Sequence, residues 1–441
     1  MILRAAFSLP DEPVRVRLRW AVFVGASVVG AGLAGCTTAP RIHAHSDSCM
    51  AYSWSEPARI SQSLTDVVFR FPRLASDQTG VFVVGNDVPL FSDEIVPPNA
   101  LSAARIDGAA LGHPPGTWNF AYPRAAVDSS GTLHVLWGEP EGLYEPLPAR
   151  VWPDEITGIW VASFSAASGW SGGRRLVQAR SFDWEDQLVG DISRGADGTL
   201  AVSVLGARRV TRDTPMVLLF REGEWHTRQV NSAVTMLSSH AALTPKALYV
   251  AAIGSLEHSR VTKAVFVHRS DDWGRSWSSP VQVAEPANGR HLAEVKMLVG
   301  ADQRPFLLWT DTGPRESAVR LAVATDSGAS WSLATSLELD YAVRSLRATP
   351  DRSGTIHIVF EHWGAGGTDG TTSHLDYASW SGSWSAVSHL FPHLRSASGA
   401  LGVGSDGCPV LVFLGQPGGG PFDAAVSSFQ SRLIPSPTGR Y

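Results

Sequence analysis

This 441-residue chain is short of sustained amphipathic helical periodicity and short of basic charge. Its 36 lysines and arginines face 41 acidic residues, a net of −5. That balance supplies no field for a phosphate backbone, so nucleic acid is not an expected partner. Cysteine is scarce, at three residues, and nothing resembles a zinc cluster, a glycine-rich nucleotide loop or a serine nucleophile elbow. The pair in "HAHS" at 43–46 stands alone, and neither a metal nor a cofactor is expected. What the chain has in quantity is glycine (42), proline (28) and tryptophan (16). Such a composition suits many short strands joined by turns, hence an all-β fold. The length exceeds one ordinary domain, yet barrels and repeat folds run this long as single units.

The one long apolar run is at the N-terminus. Arg15, Arg17 and Arg19 precede Trp20–Ala34, and "LAGC" ends at Cys36. About 15 apolar residues fall short of the roughly 20 that span a bilayer. The segment resembles a bacterial lipoprotein signal. That resemblance implies a leader over 1–35, lipidation of Cys36 and a tether over 36–50. Because residue 37 is Thr37 rather than aspartate, it also implies the outer membrane of the cell envelope, with the lipid as the sole membrane contact.

The remainder is periodic. Trp170, Trp225, Trp277, Trp331 and Trp384 recur at spacings of 52 to 55 residues. Between them runs a second pattern, an apolar strand, a tight turn and another apolar strand, as in "PRAAVDSSGTLHVLW" and "LRATPDRSGTIHIVF". Seven such hairpins lie between Gly80 and Gly407, at a mean spacing near 54. Adding a third strand such as "AVFVHRS" and a fourth after each tryptophan gives four antiparallel strands per repeat, the blade of a β-propeller. A lone blade cannot bury both faces, so blades pack in a ring with the tryptophans as wedges between them. Seven blades over residues 51–430 are expected, with six as the alternative and 431–441 as a tail. The last hairpin has no tryptophan strand after it, whereas "AYSWSEPARIS" near Trp54 has no hairpin before it. The N-terminal strand should therefore complete the last blade. Closure of this kind brings Cys49 towards Cys408, and a disulfide closing so long a loop contributes about 4–5 kcal/mol by loop entropy.

The segment "SDDWGRSW" combines Ser270, Asp272, Gly274, Ser276 and Trp277. Asp272 is suited to accept backbone N–H groups in a turn, and Gly274 to supply its positive φ. "ATDSGASW" repeats the pattern with Asp326, Gly328 and Trp331. These stretches resemble the Asp boxes (BNR repeats) of the sialidase (neuraminidase) superfamily, of the form S-x-D-x-G-x-T-W. "FRFP" at 69–72 is similar to the family's arginine-bearing first inner strand. By that resemblance Arg70 would grip a sugar carboxylate, Glu294 would activate a nucleophile, and Asp87, Asp93 or Glu94 would serve as general acid. The chain departs from the family where its second arginine aligns with Thr310, where its third falls near 368–376, and where the nucleophilic tyrosine aligns with Ser398.

Position in the repeat gives an independent reading. Arg70, Glu294 and Arg344 each stand ten residues before the corresponding turn position, at Gly80, Arg304 and Gly354, and should ring one mouth. Glu361, His362, Asp311 and Glu139 at the ends of second strands, and Tyr341 on a blade connection, should join them. Arg73, Arg124 and Arg347, three positions further on, should by strand alternation face away. The expected function is recognition of glycans or surface ligands through the mouth of the ring, with a carbohydrate or glycoconjugate as the expected partner. An exo-sialidase or related glycoside hydrolase and a scaffold protein of the envelope are the alternatives.

Overall fold

Each of the seven hairpins forms. Val67–Ser76 pairs with Val81–Pro89, Ala121–Val127 with Leu133–Pro140, Ser193–Arg194 with Leu200–Val204, and Val234–Leu243 with Leu248–Leu256. His291–Val299 pairs with Pro305–Thr312, Val343–Pro350 with Ile356–Trp363, and Leu394–Val403 with Pro409–Pro417. The computed structural model describes residues 52–55, 58–59, 67–76, 80–89, 100–106, 110–115, 121–140, 156–178, 190–205, 215–256, 263–287, 289–363, 373–392, 394–404, 406–417 and 427–435. All of them lie in one compact unit, His45–Tyr441. The expected leader and tether, with Cys36 and Cys49, lie outside the described residues, as do Asp93 and Glu94.

Each hairpin is the inner half of one antiparallel sheet, and there are seven sheets, here blades 1 to 7 in chain order. In blade 4, for example, Ala264–Ser270 and Val281–Ala284 follow as third and fourth strands. Blade 7 takes Ser427–Pro435 as its third strand and borrows its outermost one from the other end of the chain. Tyr52 pairs with Pro435 and Trp54 with Leu433. The N-terminal strand thus closes the ring, and the third strand runs five residues into the segment expected as a tail.

The burial pattern shows why the ring closes. Among the described residues, buried apolar clusters straddle blades 1 and 2, 2 and 3, 3 and 4, 4 and 5, 5 and 6, 6 and 7, and finally 7 and 1 through Val412, Val83 and Ala104. Seven sheets with seven shared cores leave no exposed sheet face to cover. The periodic tryptophans sit in these seams. Trp170, Trp225, Trp277, Trp331, Trp384 and Trp54 each pack against the cluster between two blades. Two of them also tie the blades by hydrogen bonds, Trp170 Nε1 to Leu111 O (2.8 Å) and Trp277 Nε1 to Gln229 O (2.9 Å).

The turns are held by carboxylates. Asp272 Oδ1 accepts from Ser276 N (2.8 Å) and Ser270 Oγ (2.8 Å), and its Oδ2 from Ser276 Oγ (2.6 Å). Gly274 N donates to Ser270 Oγ at 2.7 Å. Gly274 has φ of 82°, and a Cβ there would approach Arg228 Cβ to 2.9 Å, so glycine is required twice over. In the second copy, Tyr249 OH of the preceding blade donates to Ser327 O (2.7 Å), and the chain at Gly328 passes so close that a Cβ would meet Tyr249 Cε1 at 2.5 Å. The inner hairpins use the same chemistry. Asp128 and Asp351 each accept from two backbone N–H groups and a serine hydroxyl, and each meets a buried histidine six residues on, His134 and His357.

Candidate functional site

Asp191 lies in the entry to the inner strand of blade 3, seven residues before Gly198. Groups from four other blades reach its carboxylate: Arg73 Nε of blade 1 at 3.8 Å, Arg124 Nε of blade 2 at 3.4 Å, His240 Nε2 of blade 4 at 3.9 Å and Lys296 Nζ of blade 5 at 2.8 Å. Arg347 of blade 6 adds its field. Blades 1, 3 and 5 are not neighbours, so a carboxylate touched from all three stands on the axis of the ring. Arg73, Arg124, Asp191 and Arg347 share one register, each seven residues before the glycine of its turn, at Gly80, Gly131, Gly198 and Gly354. His240 and Lys296 occupy the matching rung of blades 4 and 5, and Ala400 that of blade 7.

This ring differs from the expectation that Arg73, Arg124 and Arg347 face away. Strand alternation fails here because the inner strands carry register shifts between Arg70 and Arg73, Ala121 and Arg124, Leu292 and Val295, Val343 and Ser345, and Ala397 and Ala400. A bulge re-aims every side chain beyond it. The recurrent placement seven before glycine was the available signal.

Four cations around one carboxylate fix its ionisation. Burial alone would raise the Asp191 carboxyl, but Lys296, Arg124, Arg347 and Arg73 together hold it well below the ordinary carboxylate range. Burial, reinforced by Lys296, pushes His240 down to about 4. His240 Nδ1 accepts from Met297 N at 3.3 Å, so in the neutral ring Nε2 carries the proton towards Asp191. Glu294 supplies a second acid at the hub. Its carboxylate accepts from Leu346 N (3.1 Å) and lies 3.8 Å from Arg347 Nη1. Among the described residues, four cations thus gather about two acids at the hub. A cavity of about 390 Å³ extends from this ring along the inner strands towards the hairpin turns, with Ser76, Arg194 and Thr349 further along its wall.

The other expected residues are distributed as follows. Arg344 is exposed and lies 3.5 Å from Glu361. Arg70 lies opposite Asn86, and Asp87 opposite Phe69, while the side chains of Arg70, Asp87 and Glu139 are outside the described residues. Cys408 is half-buried, and with Cys49 outside the described residues its pairing is not defined. Asp311 is fully buried, bound to Arg320 Nε (3.2 Å) and Ala287 N (3.2 Å) in a separate cleft between blades 4 and 5.

Tyr341, at the entry to blade 6, joins a cluster the sequence did not announce. Its hydroxyl donates to Asp376, which also binds His389 Nδ1 and lies 3.3 Å from His362 Nε2. The Tyr341 ring stacks on His362 with centroids 4.1 Å apart. Burial and then the adjoining Asp376 raise the Tyr341 phenol above its ordinary value, whereas Asp376, despite burial, is lowered by His362 and Tyr341.

No family model matches this chain, and no curated protein sequence matches it. Solved structures do. An ulvan lyase from a new family of polysaccharide lyase is 9% identical with a TM-score of 0.51, the match covering 86% of this chain and 96% of that one. The polysaccharide lyase Uly1 is 9% identical with a TM-score of 0.50, over 82% of this chain and 89% of that one. A Hadza microbial sialidase is 18% identical with a TM-score of 0.43, over 67% and 63%. At these identities what is shared with the two lyase structures is the fold, a β-propeller.

Proposed function

We propose that this protein recognises an anionic carbohydrate through the hub of its propeller. The observation that carries the reading is the convergence of Arg73, Arg124, Lys296 and Arg347 from four blades on the hub, beside a cavity of about 390 Å³. That volume falls within the range of small-ligand sites. Planar guanidinium groups suit a carboxylate or sulfate ester, and the wall residues Ser76, Ser193 and Thr349 suit sugar hydroxyls. The fold shared with two structures named as polysaccharide lyases supports carbohydrate as the ligand class. The lipoprotein-like "LAGC" supports a position at the cell envelope, with Cys36 as the anchor.

Calorimetric titration of the full chain with an oligouronide and with its neutral, carboxyl-reduced counterpart tests this reading. Binding of the acidic oligosaccharide alone is expected, weakened by salt and by at least about tenfold in Arg347→Gln. Equal affinity for both sugars, or no binding of either, overturns it. Turnover of a fluorogenic sialoside or glycoside in the same preparation would replace binding by catalysis as the protein's role.

A further inference from the structure

We propose that His362, Asp376 and His389 of blade 6 form a binding site for a divalent transition-metal ion. The three residues come from successive strands of one sheet, Ile356–Trp363, Ser373–Trp380 and Ser388–Leu390. Asp376 pairs with Phe360 on one side and with His389 on the other, while His362 lies two rungs further along, opposite His374. The ladder therefore fixes all three side chains on one face at the end of the blade remote from the Asp351 turn. Their donor atoms, one per residue, all lie within 4.8 Å of one another.

The chemistry of the set matches such an ion. Two imidazoles and a carboxylate are borderline nitrogen and hard oxygen donors, the combination that binds Zn²⁺, Co²⁺, Mn²⁺ or Fe²⁺ rather than Ca²⁺ or Mg²⁺. Asp376 is 3% exposed and His362 7%, so the carboxylate has little water to satisfy it and depends on partners. Two imidazoles are directed at Asp376, His389 at Oδ1 and His362 at Oδ2. A third, His374, packs 4.9 Å from the ring of His389 and 5.7 Å from that of His362. Tyr341 donates to the Asp376 oxygen that faces His362 and stacks on the His362 ring, which orients both ligands. The His389 side chain is 42% exposed, so the site is open on that side and three protein ligands leave coordination positions for water or a ligand oxygen. The inference is independent of the carbohydrate reading, since none of these residues belongs to the hub ring.

The test is titration of the chelator-treated full chain with Zn²⁺ by calorimetry, and with Co²⁺ by visible absorption. His43→Ala/His45→Ala is included so that the N-terminal pair cannot contribute. One ion per chain is expected, with Co²⁺ bands of a nitrogen- and oxygen-ligated ion and a Zn²⁺-dependent rise in melting temperature. His389→Ala, an exposed position, should fold normally by circular dichroism and bind Zn²⁺ at least about 100-fold more weakly, and His362→Gln likewise. No stoichiometric binding by the parent chain, or binding that survives both His389→Ala and His362→Gln, overturns the assignment.

Discussion

The carboxylate of Asp191 in blade 3 and the ammonium of Lys296 in blade 5 stand 2.8 Å apart, though 105 residues separate them in the chain and a whole blade separates them around the ring. Such a contact exists only because the wheel is closed. Asp191→Asn keeps the shape and removes the charge that binds Lys296, Arg124 and Arg73. Breaking the buried pair with Lys296 should cost about 3–5 kcal/mol in a denaturant titration, with part of the loss recovered in Asp191→Asn/Lys296→Met. An unchanged midpoint for Asp191→Asn would show that the hub does not depend on this pairing.

Acid should destabilise the protein before its carboxylates titrate. His240 and His268 are both held near pH 4 by burial, with Lys296 adding to the effect at His240. In the unfolded chain each titrates near 6.5. Between those values the unfolded state takes up protons that the folded state refuses. The stability is therefore complete above about pH 6.5 and declines as the pH falls to about 4, by about 3 kcal/mol for each histidine. His268→Met should flatten this slope between pH 6.5 and 4.5 in guanidinium melts, and an unaltered slope would refute the assignment.

Closure of the ring through the N-terminus predicts a disproportionate role for one residue. Trp54 meets Tyr377 edge-on at 5.3 Å and packs on the core between blades 6 and 7. Trp54→Ala should cost about 3 kcal/mol, and removal of residues 1–55 should lower the melting temperature further, because blade 7 then loses its outer strand. A truncated chain as stable as the full one would count against strand closure.

Two glycines with the same backbone conformation should respond differently to alanine. Gly274 and Gly289 have φ of 82° and 80°, but only at Gly274 does a Cβ collide, with Arg228. Gly289→Ala should cost about 1 kcal/mol for its left-handed backbone alone. Gly274→Ala should cost more, and adding it to Arg228→Gly, which lacks the Cβ it would meet, should cost less than adding it to the parent chain. Equal effects of the two single substitutions would remove the contact from the account.

Much of the wheel was legible because its signals are local. A turn of the type around Asp128 or Asp351 is specified within five residues, and its recurrence gives the blade count directly. Trp170, Trp277 and Trp331 mark seams because a large apolar side chain at a fixed place in each repeat has only the neighbouring blade to pack on. The candidate site was harder to read. Arg73, Arg124 and Arg347 were visible as a series, but alternation assigned them to the wrong side, since a bulge leaves no sequence mark comparable to a glycine turn. His362, Asp376 and His389 show no metal-ligand spacing because they come from three strands joined by two connections.

By itself the sequence determined the all-β class, the period near 54 residues and the order in which the blades follow one another. These depend on hydrogen bonds and packing between residues close in the chain or one repeat apart. The tertiary structure alone decided which charges meet. Side chains at the hub belong to blades that share no seam, and their distances depend on the bulges and on closure of the whole ring, which no local interaction encodes.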